Sequence, residues 1–157
     1  MKIISGGQTG VDRGALDAAV ALGIEHGGWC PLGRLAEDGC IPGRYRLRET
    51  ETADYRERTE RNVLDSDATL ILCRGALSGG TELTRRLAEA HGRPCRVVDL
   101  AGTPPVEPLR RWLAEHRVSV LNVAGPRESQ FPGITTAAQE FIEQLFAEES
   151  NADRPTT

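Results

Sequence analysis

Short apolar runs alternate with longer amphipathic stretches along the chain. KIIS (2–5), HGGWC (26–30), ATLILC (68–73), CRVVDL (95–100) and SVLNVA (119–124) read as strands. The helical patterns between them predict an α/β domain with a mainly parallel sheet of about five strands and helices on both faces. In VDRGALDAAVALG, residues Val11, Ala15, Ala18, Ala19 and Leu22 recur at helical spacing, and Gly23 is suited to end the helix. ADYRERTERNVLDSD reads as a polar helix with Tyr55, Val63 and Leu64 inward. GTELTRRLAEAHG is a third helix. PVEPLRRWLAEHR turns Leu109, Trp112 and Leu113 inward, and ITTAAQEFIEQLFAEE does the same with Ile134, Ala138, Phe141, Ile142 and Leu145. Residues 30–52 keep no period and carry Pro31, Gly33, Gly39, Pro42 and Gly43, which predicts a long loop. Its Arg34, Pro42 and Arg44, with Trp29 and Cys30, are candidates for a lid over a ligand. The expected organisation is one domain over 1–148 and a polar tail over 149–157.

A chain of 157 residues suits a single core, and with 4% aromatics that core must be mostly Ala, Leu, Val and Ile. A net charge of −4 argues against a nucleic-acid surface, which draws its affinity from clustered Lys and Arg. Lys2 is the only lysine, so positive charge is carried by arginine. Cys30, Cys40, Cys73 and Cys95 are too far apart in sequence for a CxxC site, and no metal site is expected. Trp29 is expected in the core, and Cys30 and Cys73 as inert buried thiols. His26, His91 and His116 form no metal-binding pair and no hydrolase triad. No run approaches the ~20 apolar residues of a membrane span, and a reduced cytoplasmic protein is the expectation.

The chemistry gathers in loops that follow strands, where parallel α/β sheets bind ligands. SGGQTGVDRG follows the first strand: Gly6, Gly7 and Gly10 allow close backbone approach, and the helix start offers free N–H groups to a phosphate. Gln8 lies within this loop, Thr9 adds a hydroxyl, and Asp12 or Arg13 is placed to reach a sugar or a second anion. RGALSGGTELT, from Arg74 through Ser78, Gly79, Gly80, Thr81 and Glu82, is a second strand–glycine–helix junction. Glu82 orients a sugar hydroxyl or a water on one reading, and complements the helix dipole on the other. LNVAGPRESQFPG leaves Arg127 at the end of the last strand, free for phosphate or paired with Glu128. Its participation requires that strand to lie near the first.

SGGQTGVDRGALDAA, GGWCPLGR with AEDG, LRET, ADYRERTERNV, DSDATLIL, LSGGTELT and LNVAGPRES together resemble the molybdenum cofactor carrier protein family, from about residue 3 to about residue 147. The resemblance implies a Rossmann-like domain of the superfamily that includes the lysine-decarboxylase-like phosphoribohydrolases. It implies molybdenum cofactor (molybdopterin) as ligand, transfer to apo-molybdoenzymes, and a homo-oligomer, dimer or tetramer. The expected ligand set, drawn from the three loops, is Gly6, Gly7, Gln8, Thr9, Gly10, Arg13, Arg74, Ser78, Gly79, Gly80, Thr81, Glu82 and Arg127. The hydrolase relatives carry PGGxGTxxE, whereas here SGGTELT lacks the second glycine step and Glu82 follows Thr81 at once. A carrier is therefore the first expectation. The alternatives are a nucleoside-monophosphate hydrolase using Glu82, and a nucleotide sensor.

Overall fold

The structure is a computed structural model and describes residues 1–147. The tail expected over 149–157 lies outside the described residues, as does residue 148. In chain order the elements are β1 (Lys2–Ile4), α1 (Val11–Leu22), β2 (Glu25–Gly27), β3 (Trp29–Cys30), β4 (Leu35–Ala36), β5 (Gly39–Cys40), β6 (Arg48–Glu49), α2 (Tyr55–Leu64), β7 (Ala68–Cys73), α3 (Gly79–Ala90), β8 (Cys95–Asp99), α4 (Glu107–Glu115), β9 (Val120–Ala124) and α5 (Ile134–Leu145). Five parallel strands form the main sheet in the order β2-β1-β9-β7-β8. The last strand is thus inserted beside the first, with Ile3 opposite Leu121 and Ile4 opposite Asn122. The chain runs outward from β1 to β2 and, on the other side, from β7 to β8. The order therefore reverses at β1, β9 and β7, the place where an open α/β sheet leaves a crevice.

Alternation along the strands sorts side chains to two faces. Ile3, Leu70, Leu72, Leu121 and Val123 pack under α1, α4 and α5, joining Val11, Ala15, Trp112, Ile134 and Ile142 in the main core. Small residues bring α1 and α5 close, and a Cβ on Gly14 would run into the Thr135 carbonyl oxygen. On the opposite face α2 and α3 meet through Val63, Leu87 and Ala88. Asn122 and Thr69 sit opposite each other on this side, buried and joined by an Asn122 Nδ2 to Thr69 Oγ1 hydrogen bond of 3.2 Å.

Three expectations are corrected. HGGWC is not one strand: Gly28, at φ 126°, lies against Ser5, where a Cβ would strike the Ser5 carbonyl oxygen. β2 stays in the main sheet, while β3 leaves it to pair with β6. Residues 30–52 are not an open loop either. They contain the β3–β6 pair and the β4–β5 hairpin, and they bury Ile41, Tyr45 and Thr50. Arg34 organises this segment by donating to the carbonyls of Ile41 (3.2 Å), Pro42 (2.8 Å), Tyr45 (2.9 Å) and Leu47 (3.5 Å). Contacts to a guanidinium have no period along the chain, so hydrophobic patterning leaves them invisible. Trp29 is half-buried at the protein surface rather than in the core, its Nε1 donating to Asp65 (2.7 Å), with the Arg48 and Arg61 guanidinium groups against its ring. Cys30 and Cys73 are buried, and burial pushes both thiols above their ordinary range.

Candidate functional site

A cavity of about 320 Å³ opens at the carboxyl edge of the sheet. Four parts of the chain build its wall: Gly6, Gln8 and Asp12 after β1; Tyr55, Arg56, Arg58, Thr59 and Asn62 from α2; Gly80, Thr81 and Thr84 from α3; and Asn122 to Gly125 with Arg127 and Gln130 at and after β9. The three loops singled out in the sequence therefore converge, because β9 pairs directly with both β1 and β7. The segment after β1 is joined to β9 and its following loop by one backbone and two side-chain hydrogen bonds. Val11 N donates to Pro126 O (3.2 Å), Glu128 N donates to Thr9 Oγ1 (3.3 Å), and Ser5 Oγ donates to Val123 O (2.6 Å).

One side of the cavity is cationic and aromatic. The guanidinium groups of Arg58 and Arg127 each lie 5.3 Å from the centre of the Tyr55 ring, within cation–π range. Arg58 also donates to the Gly6 carbonyl (2.8 Å), which ties α2 to the loop after β1. A Cβ at Gly6 would push the Arg58 guanidinium out of this position. The first turn of α3 faces the same space. Its N-cap residue Ser78 makes no side-chain cap, and only the N–H groups of Thr81 and Glu82 are turned back to Ser78 O. Unpaired N–H groups at a helix start, next to arginines, favour an anion.

Gln8 and Asp12 make another part of the wall, close to Arg58. Gln8 is 4% exposed. Its Oε1 accepts from Thr9 N (3.0 Å) and from Glu37 N (2.9 Å). Those two donors set the amide's orientation, since a flip would bring NH2 against two N–H groups. Gln8 Nε2 is then buried without a partner among the described residues, an arrangement that ordinarily costs about 1–3 kcal/mol. Asp12 is 7% exposed and accepts from Gln8 N (3.2 Å). Burial pushes its carboxyl above the usual carboxylate range, against the pull of the Arg58 charge and the Gln8 N–H.

Of the residues expected at the site, Gly6, Gln8, Gly80, Thr81 and Arg127 line the cavity. The others are placed differently. Gly7 packs against Leu47 and Ile41, and Gly10 against the backbone of Pro126 to Glu128. Thr9 donates to Glu37, and Arg13 grips Asp38 with two hydrogen bonds while its Nε donates to Gly7 O (3.0 Å). Thr9 and Arg13 thus anchor the β4–β5 hairpin, because its turn carries the acidic pair Glu37–Asp38. Arg74, Ser78 and Gly79 stand outside the wall, and Arg74 acts electrostatically on Glu128. Glu82 is bonded to Arg85 and Arg86 on its own helix, and the Arg85 hydrogen bond holds its carboxyl below the usual range. Thr81 and Thr84 face inward three residues apart, and Glu82 is turned about 100° away from Thr81. The carboxyls in the wall are those of Asp12 and of Asp54, the latter the N-cap of α2, which accepts from Arg56 N (2.9 Å). Arg127 is not paired with Glu128, which instead accepts from the N–H groups of Gly133 (2.5 Å) and Thr135 (3.0 Å).

Sequence reasoning missed the α2 contribution, although its signal was there: Tyr55, Arg58, Thr59 and Asn62 recur at helical spacing as a polar stripe. It also missed Asn122, a polar residue in an otherwise apolar strand. The lid expected from residues 30–52 does not cover this cavity, to which that segment adds no lining residue. Among the described residues, no three His, Cys, Asp or Glu side chains are grouped to hold a metal ion, and no helix is long and apolar enough to cross a membrane.

No curated protein matches the chain. The fold is similar to the crystal structure of the "putative molybdenum carrier protein" from Syntrophus aciditrophicus, with a TM-score of 0.88 and 48% identity over 93% of this chain and 94% of that one. The model of the circularly permutated YpsA SLOG family matches residues 3–146. By this match and by its Rossmann-like α/β sheet, the chain belongs to the circularly permutated YpsA family of SLOG proteins.

Proposed function

We propose that the protein binds and carries a phosphorylated, ring-bearing small molecule of the molybdenum-cofactor type in the cavity beside β1 and β9. The observation that carries this reading is the convergence of Arg58, Arg127, Tyr55 and the uncapped start of α3 on one cavity of about 320 Å³. The helix start and Arg127 suit a phosphate, and Tyr55 with its arginines suits a flat ring. Molybdate enters this reading as cargo on the pterin, an oxyanion suited to arginine, with no protein metal ligand required. The name of the Syntrophus aciditrophicus protein agrees with this choice. Delivery to apo-molybdoenzymes by a homo-oligomer is part of the same proposal.

A phosphorylated pterin such as 6-hydroxymethylpterin phosphate is the direct probe. Binding measured by fluorescence or calorimetry is expected to weaken about tenfold or more in Arg127→Ala and in Arg58→Ala, since each removes a charge-assisted contact, and to weaken as salt rises. Absence of binding by the unaltered protein overturns the proposal. Release of free base from nucleoside monophosphates, lost in Asp12→Asn, would replace the carrier reading with a hydrolase.

A further inference from the structure

We infer that Asn122 reads the inner end of the ligand, its side-chain oxygen accepting from an N–H or O–H group that the ligand must bring to the sheet floor of the cavity. The inference rests on the carrier reading of the cavity and names the chemistry of the ligand within it. It comes from following the buried polar side chains of the wall to their partners. Asn62 accepts from Trp29 N (2.7 Å) and donates through Nδ2 to Trp29 O (3.0 Å). Thr84 Oγ1 donates to Gly80 O (2.9 Å). Gln8 Oε1 and the Asp12 carboxyl are taken up by the chain itself. Asn122 is different. It is 3% exposed, its Nδ2 donates to Thr69 Oγ1 (3.2 Å), and its Oδ1 has no partner among the described residues. Gln8 Nε2 is the one buried side-chain nitrogen or oxygen there that is both unpartnered and closed off. Asn122 Oδ1 is therefore open, and the cavity that Asn122 lines is what it opens to.

The sheet fixes this arrangement. β9 lies beside β7 in a register that sets Asn122 opposite Thr69, so the buried hydroxyl holds the nitrogen end of the amide and turns the oxygen end outward. A polar side chain between Leu121 and Val123 is costly in such a strand unless its hydrogen bonds are made, and the single contact to Thr69 leaves both lone pairs of the oxygen unused. A ligand donor completes them.

A phosphate dianion cannot, because it carries only acceptors and would set oxygen against oxygen. The positive groups of the wall lie elsewhere: Arg58 on α2, Arg127 on the loop after β9, and the unpaired N–H groups at the start of α3. The ligand is thus oriented with a donor toward Asn122 and its phosphate toward the arginines and the α3 start. A ligand without the donor leaves the amide oxygen unpaired, which is how a site of buried polar groups rejects an analogue.

Two pairs of probes separate the two sources of a donor. Exchanging 6-hydroxymethylpterin phosphate for 6-hydroxymethyllumazine phosphate replaces a ring amino group by a carbonyl oxygen. Exchanging guanosine 5′-monophosphate for its 2′,3′-dideoxy form removes the sugar hydroxyls. In calorimetry the unaltered protein is expected to bind the donor-bearing member of at least one pair at least about fivefold more tightly. Thr69→Val combined with Asn122→Leu replaces both partners of the buried pair by apolar groups of similar shape, a nearly neutral change for folding, and should bring that ratio within about twofold. Thr69→Val alone keeps the amide but frees it to turn, and should lower the ratio too. The ratio cancels any general loss of affinity, and a thermal melt of each variant verifies folding. Equal affinity within both pairs overturns the inference, since water then satisfies the amide oxygen. A preference for the probe without the donor overturns it as well, as does a preference that survives in either variant. In each of these cases the carrier reading stands if binding still depends on Arg127. If neither the pterin nor the guanosine nucleotide binds, the carrier reading falls and the inference with it.

Discussion

Replacing Gly10 with alanine tests whether the seam between the loops after β1 and β9 holds the site together. Gly10 has φ 86° and ψ −134°, a conformation that residues with a side chain rarely adopt, at a cost of about 1–3 kcal/mol. A Cβ there would also overlap the Pro126 carbonyl oxygen and lie 2.7 Å from Glu128 N and 2.8 Å from the Arg127 carbonyl carbon. These are backbone atoms of a loop fixed by its own hydrogen bonds, so they cannot rotate away, and overpacking of this kind costs a further ~1–3 kcal/mol. The sum, about 2–6 kcal/mol, corresponds to a melting temperature lower by roughly 4–24 °C for a domain of this size. Gly23→Ala is the control. Gly23 is left-handed, at φ 68°, and a Cβ added there would meet nothing within 4 Å, so it carries only the backbone cost of about 1–2 kcal/mol. Circular dichroism melts and guanidinium denaturation of the two variants separate the contributions. If Gly10→Ala is no more destabilised than Gly23→Ala, the rigid seam does not exist as described.

Three other outcomes follow from the geometry. Tyr45 is buried and donates to Asp17 (2.6 Å), and burial pushes its phenol up to about 12. The unfolded phenol ionises near 10, so the contribution is present below about pH 10 and lost as pH rises toward 12. Ultraviolet titration should show a late step absent in Tyr45→Phe, and a step completed by pH 10 refutes the burial argument. Arg34→Lys retains the charge but not the fork that reaches four carbonyls. It should cost about 2 kcal/mol in denaturant, with hydrogen exchange accelerated over residues 30–50, and unchanged exchange contradicts it. Asp12→Asn removes a carboxyl whose ionisation is raised by burial. The folded state favours the protonated form, so the unaltered protein gains stability as pH falls through that ionisation. The variant should therefore melt higher at pH 7, with the advantage shrinking toward acid, and a lower melting temperature at pH 7 refutes the reasoning.

The polar stripe on α2 shows why a site is harder to read than a fold. Tyr55, Arg58, Thr59 and Asn62 follow helical spacing as clearly as the apolar positions of α5 do, but a polar stripe on a helix reads as solvated surface until something is known to face it. Glu82 shows the converse. Its position beside a glycine pair suggests chemistry, yet one residue of helical rotation turns it from the cavity toward Arg85 and Arg86. Thr9 and Arg13 belong to the expected binding loop but bond Glu37 and Asp38, about 25 residues away in the chain.

Local physics determined the helices, the parallel α/β class and the glycine-rich junctions after β1 and β7, because amphipathic period and turn chemistry act between near neighbours. It also sufficed for the family resemblance, which is a property of the residues in order. The insertion of β9 between β1 and β7 depended on contacts across more than fifty residues, and it alone brought the three loops to one edge. Tertiary packing likewise folded residues 30–52 around Arg34 and left Gln8 Nε2 buried without a partner among the described residues. Burial and hydrogen-bond satisfaction are sums over the whole molecule, so no stretch of sequence contains them.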